Sequence, residues 1–252
     1  MRPNRSKALA LADQPALGTM CNAASPLIAE WLGHSGYDFI CVDLQHGEND
    51  LGSVGVMLQA LSSTPATPVV RVAANVPSNL QRVLDLGAYG VIVPLVNTAA
   101  DAEAVVQSVR YAPRGARSWG PVRGAIYGGP DYFENAATTL LTLVMIESAQ
   151  GLDNAREILS VDGIDGCFVG PADLNITLGH SPNDPELGAS TESGVGEIAR
   201  IARDLGKIAG VHAFSVEDAK RRIAQGFRFM TVMADTRLIR AGATVALSTL
   251  RQ

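Results

Sequence analysis

Lysine, cysteine and aromatic residues are all scarce in this chain, and each scarcity excludes something. Its 252 residues include three lysines, Lys7, Lys207 and Lys220. Lys7 lies in the N-terminal segment, Lys207 precedes the seventh strand-like run, and Lys220 falls on the helix after that run. None stands at the carboxyl end of a strand, where a Schiff-base nucleophile would be needed. A carbonyl compound turned into a carbanion here would therefore have to be polarised by a metal ion. Cys21, Cys41 and Cys167 are odd in number and lie among apolar residues. They read as buried thiols of a reducing, cytoplasmic compartment rather than a disulfide framework. No apolar run approaches the roughly 20 residues that span a membrane. The short run Ala8–Ala12 ends at Asp13 and reads as a first helix, not a signal peptide. A net charge of -5 with mixed signs gives no basic surface for nucleic acid or anionic lipid. The segment Met20-Cys-Asn-Ala-Ala-Ser25 is not a phosphate-binding glycine motif, which argues against a doubly wound open sheet.

What is present is repetition. Eight short β-like runs succeed one another: Ala16–Met20, Asp38–Asp43, Pro68–Val72, Gly90–Pro94, Leu141–Glu147, Gly166–Gly170, Ile208–Ala213 and Phe229–Ala234. Several are continuously apolar, as in parallel strands buried on both faces. Amphipathic segments fall between them, at Ser78–Leu86, Ala100–Arg110, Leu152–Leu159, Gly194–Leu205 and Val216–Ala224. Gly87, Gly206 and Gly226 stand where helices should stop. With 47% hydrophobic residues and about 250 positions, the pattern predicts one α/β domain over residues 1–252, a (β/α)8 TIM barrel. The connection from Asn97 to Leu140 is long enough to be functional or a subunit contact.

In such a barrel the chemistry sits at the carboxyl ends of the strands. There the sequence places Asp43 and His46, Arg71, Glu147, Asp173, His212 and Asp235. The amino ends look mostly neutral. Glu147 and Asp173, closing neighbouring strands, make a hard-oxygen site for Mg²⁺ or Mn²⁺. Asp173 has an alternative use, in the first turn of a helix that Pro171 opens. Arg71 needs an anion, either a substrate carboxylate or enolate, or an ion pair with Asp43 or Glu147. His46 is the general acid–base candidate, with Asp43 near enough to orient it. His212 lines the pocket or is a satisfied core histidine. Asp235 reads as the N-cap of the last helix. Backbone N–H groups from Gly170 through Pro171 and Ala172 to Asp173 suit a carboxylate.

Asp43-Leu-Gln-His46-Gly, Val70-Arg71, Ile146-Glu147 and Phe168-Val-Gly-Pro-Ala-Asp173-Leu, in this order, resemble the HpcH/HpaI aldolases, the metal-dependent class II pyruvate aldolases. The likeness extends from about Leu17 to the last helix. It implies a (β/α)8 barrel and a homohexamer, a trimer of dimers with exchanged C-terminal helices. It implies Mg²⁺, Mn²⁺ or Co²⁺ on Glu147 and Asp173, a 2-oxo acid chelating that metal, and its carboxylate held by backbone near Gly170. Arg71 would stabilise the enolate, and His46 with Asp43 would move the proton. Asp85 would reach a neighbour's site. The expected reaction is reversible cleavage of a 4-hydroxy-2-oxo acid into pyruvate or hydroxypyruvate and an aldehyde. Oxaloacetate decarboxylation on the same scaffold, or non-catalytic binding of an oxo acid by an oligomer, are the alternatives. Three positions depart from many relatives: Gln45 for a Glu, Met145 for a Gln, and a small residue near Thr19 for a Trp. They bear on the acceptor aldehyde and the donor. Arg117 and Arg123 in the long loop have two readings, contact with an acidic acceptor tail or surface salt bridging.

Overall fold

The computed structural model describes residues 1–184 and 186–251. Eight parallel strands close into a barrel in chain order: β1 (Ala16–Cys21), β2 (Phe39–Asp43), β3 (Thr67–Arg71), β4 (Gly90–Val93), β5 (Leu141–Ile146), β6 (Gly166–Val169), β7 (Ile208–Ala213) and β8 (Phe229–Ala234). The expected strands are all present, shifted by no more than two residues at either end. Helices surround them: α1 (Arg5–Leu11), α2 (Pro26–His34), α3 (Leu51–Leu61), α4 (Pro77–Asp85), α5 (Ala99–Val109), α6 (Val122–Gly128), α7 (Tyr132–Thr139), α8 (Ala149–Asp153), α9 (Ala155–Ser160), α10 (Pro171–Thr177), α11 (Ala189–Asp204), α12 (Val216–Gln225) and α13 (Asp235–Leu250). No helix is long and apolar enough to cross a membrane, among the described residues.

Local chemistry sets these boundaries. Ser25, Asp50, Thr98, Ser148 and Ser215 each accept a backbone N–H at a helix start. Gly226 ends α12 in the left-handed conformation, at φ 101°. Two helical expectations change. The segment Leu152–Leu159 belongs to two helices, α8 and α9, broken at Asn154, whose Nδ2 donates instead to the Asn97 carbonyl. The long connection after α5 holds two further short helices, α6 and α7.

The apolar residues form two layers. Between sheet and helices lie Ile40, Val42, Val144, Ile146, Val169 and their neighbours. Inside the barrel lie Phe39, Cys41, Val69, Leu141, Leu143, Met145, Phe168 and Phe229. The Phe39 and Phe229 rings stack with centroids 3.9 Å apart, over Gly18, where a Cβ would lie 2.5 Å from the Phe39 ring. Burying each such side chain contributes about 1.5–3 kcal/mol. The strand period of two is hidden in the sequence because both faces are apolar, but it decides which side chains reach the mouth of the barrel.

The amino end of the barrel is not neutral. Asn4 donates to the Tyr89 and Thr139 carbonyls and so docks α1 there. Lys7 Nζ lies 2.8 Å from Asp165 Oδ1 and also bonds the Leu140 carbonyl, and Asp165 accepts the Thr142 N–H. Lys207 bonds the Ile164 carbonyl. Lys7 is thus ion-paired with Asp165, and Lys207 is held by a backbone carbonyl, both at the floor of the barrel.

Candidate active site

Inner positions alternate along each strand, and the last inner position of four strands is polar. Phe39 and Cys41 lead to Asp43, Val69 leads to Arg71, Leu141, Leu143 and Met145 lead to Glu147, and Ile208 leads through Gly210 to His212. One polar layer therefore covers the apolar interior. Above it opens a cavity of about 240 Å³, lined by His46, Arg71, Gly170 to Asp173, His212 and Arg237 among others. A larger cavity of about 720 Å³ adjoins it, but its walls are acidic and carry none of the strand-end residues. The smaller cavity holds the converging chemistry.

Asp43 and Arg71 occupy paired register positions on β2 and β3. Arg71 donates from Nε to Asp43 Oδ1 at 2.8 Å and from Nη2 to Oδ2 at 2.7 Å. Asp43 is fully buried and also accepts the Gln45 N–H at 3.0 Å. The ion-pair reading of Arg71 is thus what the side chains make, and it leaves Nη1 without a protein partner at the cavity, among the described residues. Both Asp43 oxygens are taken, and no hydrogen bond joins Asp43 to His46 among the described residues. His46 stands on the loop after β2 and lines the cavity.

Glu147 is 2% exposed. Its Oε1 accepts the Leu95 N–H at 2.8 Å, while the buried Oε2 has no partner among the described residues. Leu95 has φ 55°, a left-handed conformation unusual for its residue type, and this aims its N–H at the carboxylate. Burial raises the Glu147 pKa. The Leu95 hydrogen bond opposes that rise, the nearby Asp173 charge adds to it, and Arg71 opposes it. Asp173 lies in the first turn of α10 after Pro171, so it can serve the helix and the site together. No group of three or more metal-binding side chains occurs among the described residues. Asp173 in the cavity wall and the buried Glu147 close to it, one of whose oxygens lacks a donor among the described residues, nevertheless suit a hard divalent cation completed by water and substrate oxygens.

His212 Nδ1 lies 2.9 Å from Thr231 Oγ1, its register partner on β8. Its pKa falls from 6.5 to about 4, through burial first and then the charges of Arg71 and Arg237. It is therefore a neutral imidazole in the cavity wall at neutral pH. Cys41 and Cys167 are buried, their pKa values pushed up to about 12 mainly by desolvation, so neither is a nucleophile.

Four other residues singled out in the sequence lie outside the lining of this cavity. Asp85 ends α4 and pairs with Arg117 at 2.8 Å, outside this chain's own cavity. Arg117 is buried between Tyr111 and Tyr132, and Arg123 donates to the Leu86 and Leu58 carbonyls. Neither loop arginine reaches the cavity. Asp235 is the first residue of α13, and its carboxylate accepts the N–H groups of Asn22 and Ala23 at 3.0 and 2.9 Å, tying α13 to the β1–α2 connection. Leu95 and Arg237 join the site without a place among the expected residues. The Leu95 contribution is a backbone N–H, which no side-chain pattern signals. Arg237 carries a signal: a cation in the first turn of a helix, where the dipole disfavours one.

The fold and its polar layer define an α/β-barrel enzyme with ionisable side chains gathered at the strand ends. The chain belongs to the HpcH/HpaI aldolase/citrate lyase family, whose sequence pattern matches residues 17–241. It is 39% identical over 238 residues to the hydroxypyruvate/pyruvate aldolase of Rhizorhabdus wittichii, covering 94% of this chain and 95% of that one. Its fold superposes on a HpcH/HpaI aldolase/citrate lyase family protein from Burkholderia cenocepacia with TM-score 0.91, at 33% identity, covering 99% and 100% of the two chains. At the level of fold alone it is shared with the citrate lyase beta subunit of M. tuberculosis in complex with oxaloacetate and magnesium, at TM-score 0.60 and 21% identity, covering 87% and 91%.

Proposed function

We propose that this chain is a divalent-metal-dependent aldolase. It reversibly cleaves a 4-hydroxy-2-oxo acid into pyruvate or hydroxypyruvate and an aldehyde. The observation that carries this reading is Glu147 Oε2, buried and without a partner among the described residues, close to Asp173, which lines the cavity together with Arg71. The family relationship and the aldolase relative support it.

Glu147 and Asp173 would hold Mg²⁺, Mn²⁺ or Co²⁺, which when bound supplies Lewis-acid polarisation of the 2-oxo group. The other steps belong to the protein. Gly170, Pro171 and Ala172 line the wall where the substrate carboxylate lies. His46, directly or through a water, takes the proton of the C4 hydroxyl. The C3–C4 bond breaks, its electron pair passes into the enolate, and the C4 fragment leaves as the aldehyde. Arg71, fixed by Asp43, donates from Nη1 to the enolate oxygen. Such electrostatic stabilisation contributes several kcal/mol to barrier lowering. His212, neutral, bounds the cavity without adding charge. Protonation of the enolate at C3 completes the donor product.

The assembled enzyme is a homo-oligomer in this reading. Helix α13 contacts the body mainly through β1 and β8 and leaves Ile239, Val245, Leu247 and Leu250 exposed. Exchange of α13 between subunits would bury them. Asp85 with Arg117 would then face a neighbouring site.

The test is product analysis. A 4-hydroxy-2-oxo acid should give pyruvate and aldehyde in equal amounts, with loss on chelation by EDTA and recovery on adding Mg²⁺ or Mn²⁺. Conversion of oxaloacetate to pyruvate, with no cleavage of any 4-hydroxy-2-oxo acid, would replace the aldolase with a decarboxylase. Binding of pyruvate without turnover of either would leave only an oxo-acid-binding oligomer.

A further inference from the structure

We propose that Asn97 is a positioning residue that sets which divalent cation Glu147 holds. It clamps the turn after β4 to the start of α8, so that the Leu95 N–H keeps one Glu147 oxygen and the other alone is offered to a metal. A carboxylate presented through one oxygen favours Mg²⁺ and Mn²⁺ over the larger Ca²⁺. This role rests on the metal-binding reading of Glu147 and Asp173 above and adds what selects the ion.

All the polar groups of Asn97 are engaged. Its backbone N–H donates to Asp101 Oδ2 at 3.1 Å, and its carbonyl accepts from Asn154 Nδ2 at 2.8 Å. Its Nδ2 donates to the Leu95 carbonyl at 3.4 Å, and its Oδ1 accepts the Ser148 hydroxyl. Leu95 follows the end of β4, and Ser148 directly follows Glu147. One carboxamide therefore joins the residue whose N–H touches the Glu147 carboxylate to the residue next to Glu147 in the chain. Asn97 itself is not part of the cavity lining.

Three local departures from regular structure converge on this clamp. Leu95 takes φ 55° although its side chain is 60% exposed and gains little by packing there. What the turn provides is the 2.8 Å hydrogen bond from its N–H to Glu147 Oε1. Asn154 breaks the run between α8 and α9 in order to reach the Asn97 carbonyl. Gly151, inside α8, admits the close approach. A Cβ there would lie 3.2 Å from Ser148 Oγ, 3.3 Å from the Val96 carbonyl oxygen and 3.4 Å from Asn97 Oδ1.

The consequence for the ion follows from coordination chemistry. Mg²⁺ and Mn²⁺ take octahedral sets of oxygens and are served by single carboxylate oxygens. Ca²⁺ takes larger, looser sets and is often chelated by both oxygens of one carboxylate. Chelation here would have to compete with the Leu95 N–H for Oε1. Without the clamp, Leu95 relaxes out of the left-handed region and releases Oε1. Glu147 then loses its aim for a small octahedral ion, while Ca²⁺ gains a second oxygen.

The experiment is calorimetric titration of the metal-stripped protein with Mn²⁺, Mg²⁺ and Ca²⁺, beside urea denaturation of each variant. Mn²⁺ and Mg²⁺ affinity should fall roughly 10- to 100-fold in Asn97→Ala, as for loss of other groups that orient a metal ligand. Ca²⁺ affinity should fall much less, so the preference of the wild type for the smaller ions shrinks. Ser148→Ala should shift the preference the same way by a smaller factor, and it carries the test if Asn97→Ala does not fold. Leu95→Gly keeps the N–H and adopts φ 55° freely, so it should keep the wild-type preference. A preference unchanged in Asn97→Ala and Ser148→Ala, or an equal loss for all three ions, overturns the inference. A wild type that binds none of the three ions sinks the metal-binding reading instead.

Discussion

Glu147 and Gly170 are fitted to one another: a Cβ on Gly170 would lie 2.8 Å from Glu147 Oε2 and 3.1 Å from its Cβ. The glycine just after β6 thereby leaves open the space around the one carboxylate oxygen of Glu147 that has no donor. A methyl group there would push on the Glu147 carboxylate, which the Leu95 N–H holds from the other side. Gly170→Ala should therefore weaken binding of Mg²⁺ or Mn²⁺ on the order of 10- to 100-fold, as for other changes that disturb the orientation of a ligand. Metal titration by calorimetry measures this. Unchanged affinity would mean that Glu147 does not hold the cation in this orientation.

Asp43 and Arg71 form the second fixed pair. Arg71 is 12% exposed and Asp43 fully buried. Asp43→Ala would leave the guanidinium without its counter-charge, at a cost of about 3–5 kcal/mol. Urea denaturation should show this loss, and turnover should fall with it because Arg71 is no longer aimed. Full stability in Asp43→Ala would show that the pair contributes nothing to the fold.

The His212 imidazole makes stability depend on pH in a defined window. Its folded pKa of about 4 lies below the ordinary 6.5. Between these values the unfolded chain binds more protons than the folded one. The contribution is therefore fully present above about pH 6.5 and is lost progressively as pH falls toward 4. Denaturation of wild type and His212→Gln between about pH 7 and about pH 5 isolates it. The wild type should lose stability relative to the variant as pH falls. A constant difference across the window would show that His212 titrates normally.

Much of this architecture is legible in the sequence, for physical reasons that also mark where legibility stops. The βα alternation announces itself because doubly buried strands are short apolar runs and helices end on residues such as Gly226. Glu147 stands out because a carboxylate closing Leu141–Ile146 has no role in the core. The pairing of Asp43 with Arg71 is one of several alternatives that the sequence leaves open, since strand register depends on how the barrel closes. Continuous apolar strands conceal which residues face inward. The floor formed by Lys7 and Asp165, 158 positions apart in sequence, depends on α1 folding back across the barrel. The short helices α6 and α7 lie in a segment whose glycines and prolines suggest only a loop. Leu95 acts through its main chain, and Arg237 is less conspicuous than the arginines of the long loop.

Deuterium exchange at C3 of pyruvate, monitored by NMR with no aldehyde present, isolates the metal-dependent step on Glu147 and Asp173. It reports enolate formation alone, independent of the acceptor. Exchange is expected in the metal-loaded protein, none after complete metal removal, recovery on adding Mg²⁺ or Mn²⁺, none in Glu147→Ala, and slowed exchange in His46→Ala with metal affinity retained. Exchange that survives complete removal of metal would contradict a metal-dependent enolate, because no lysine lines the cavity to form the enolate another way.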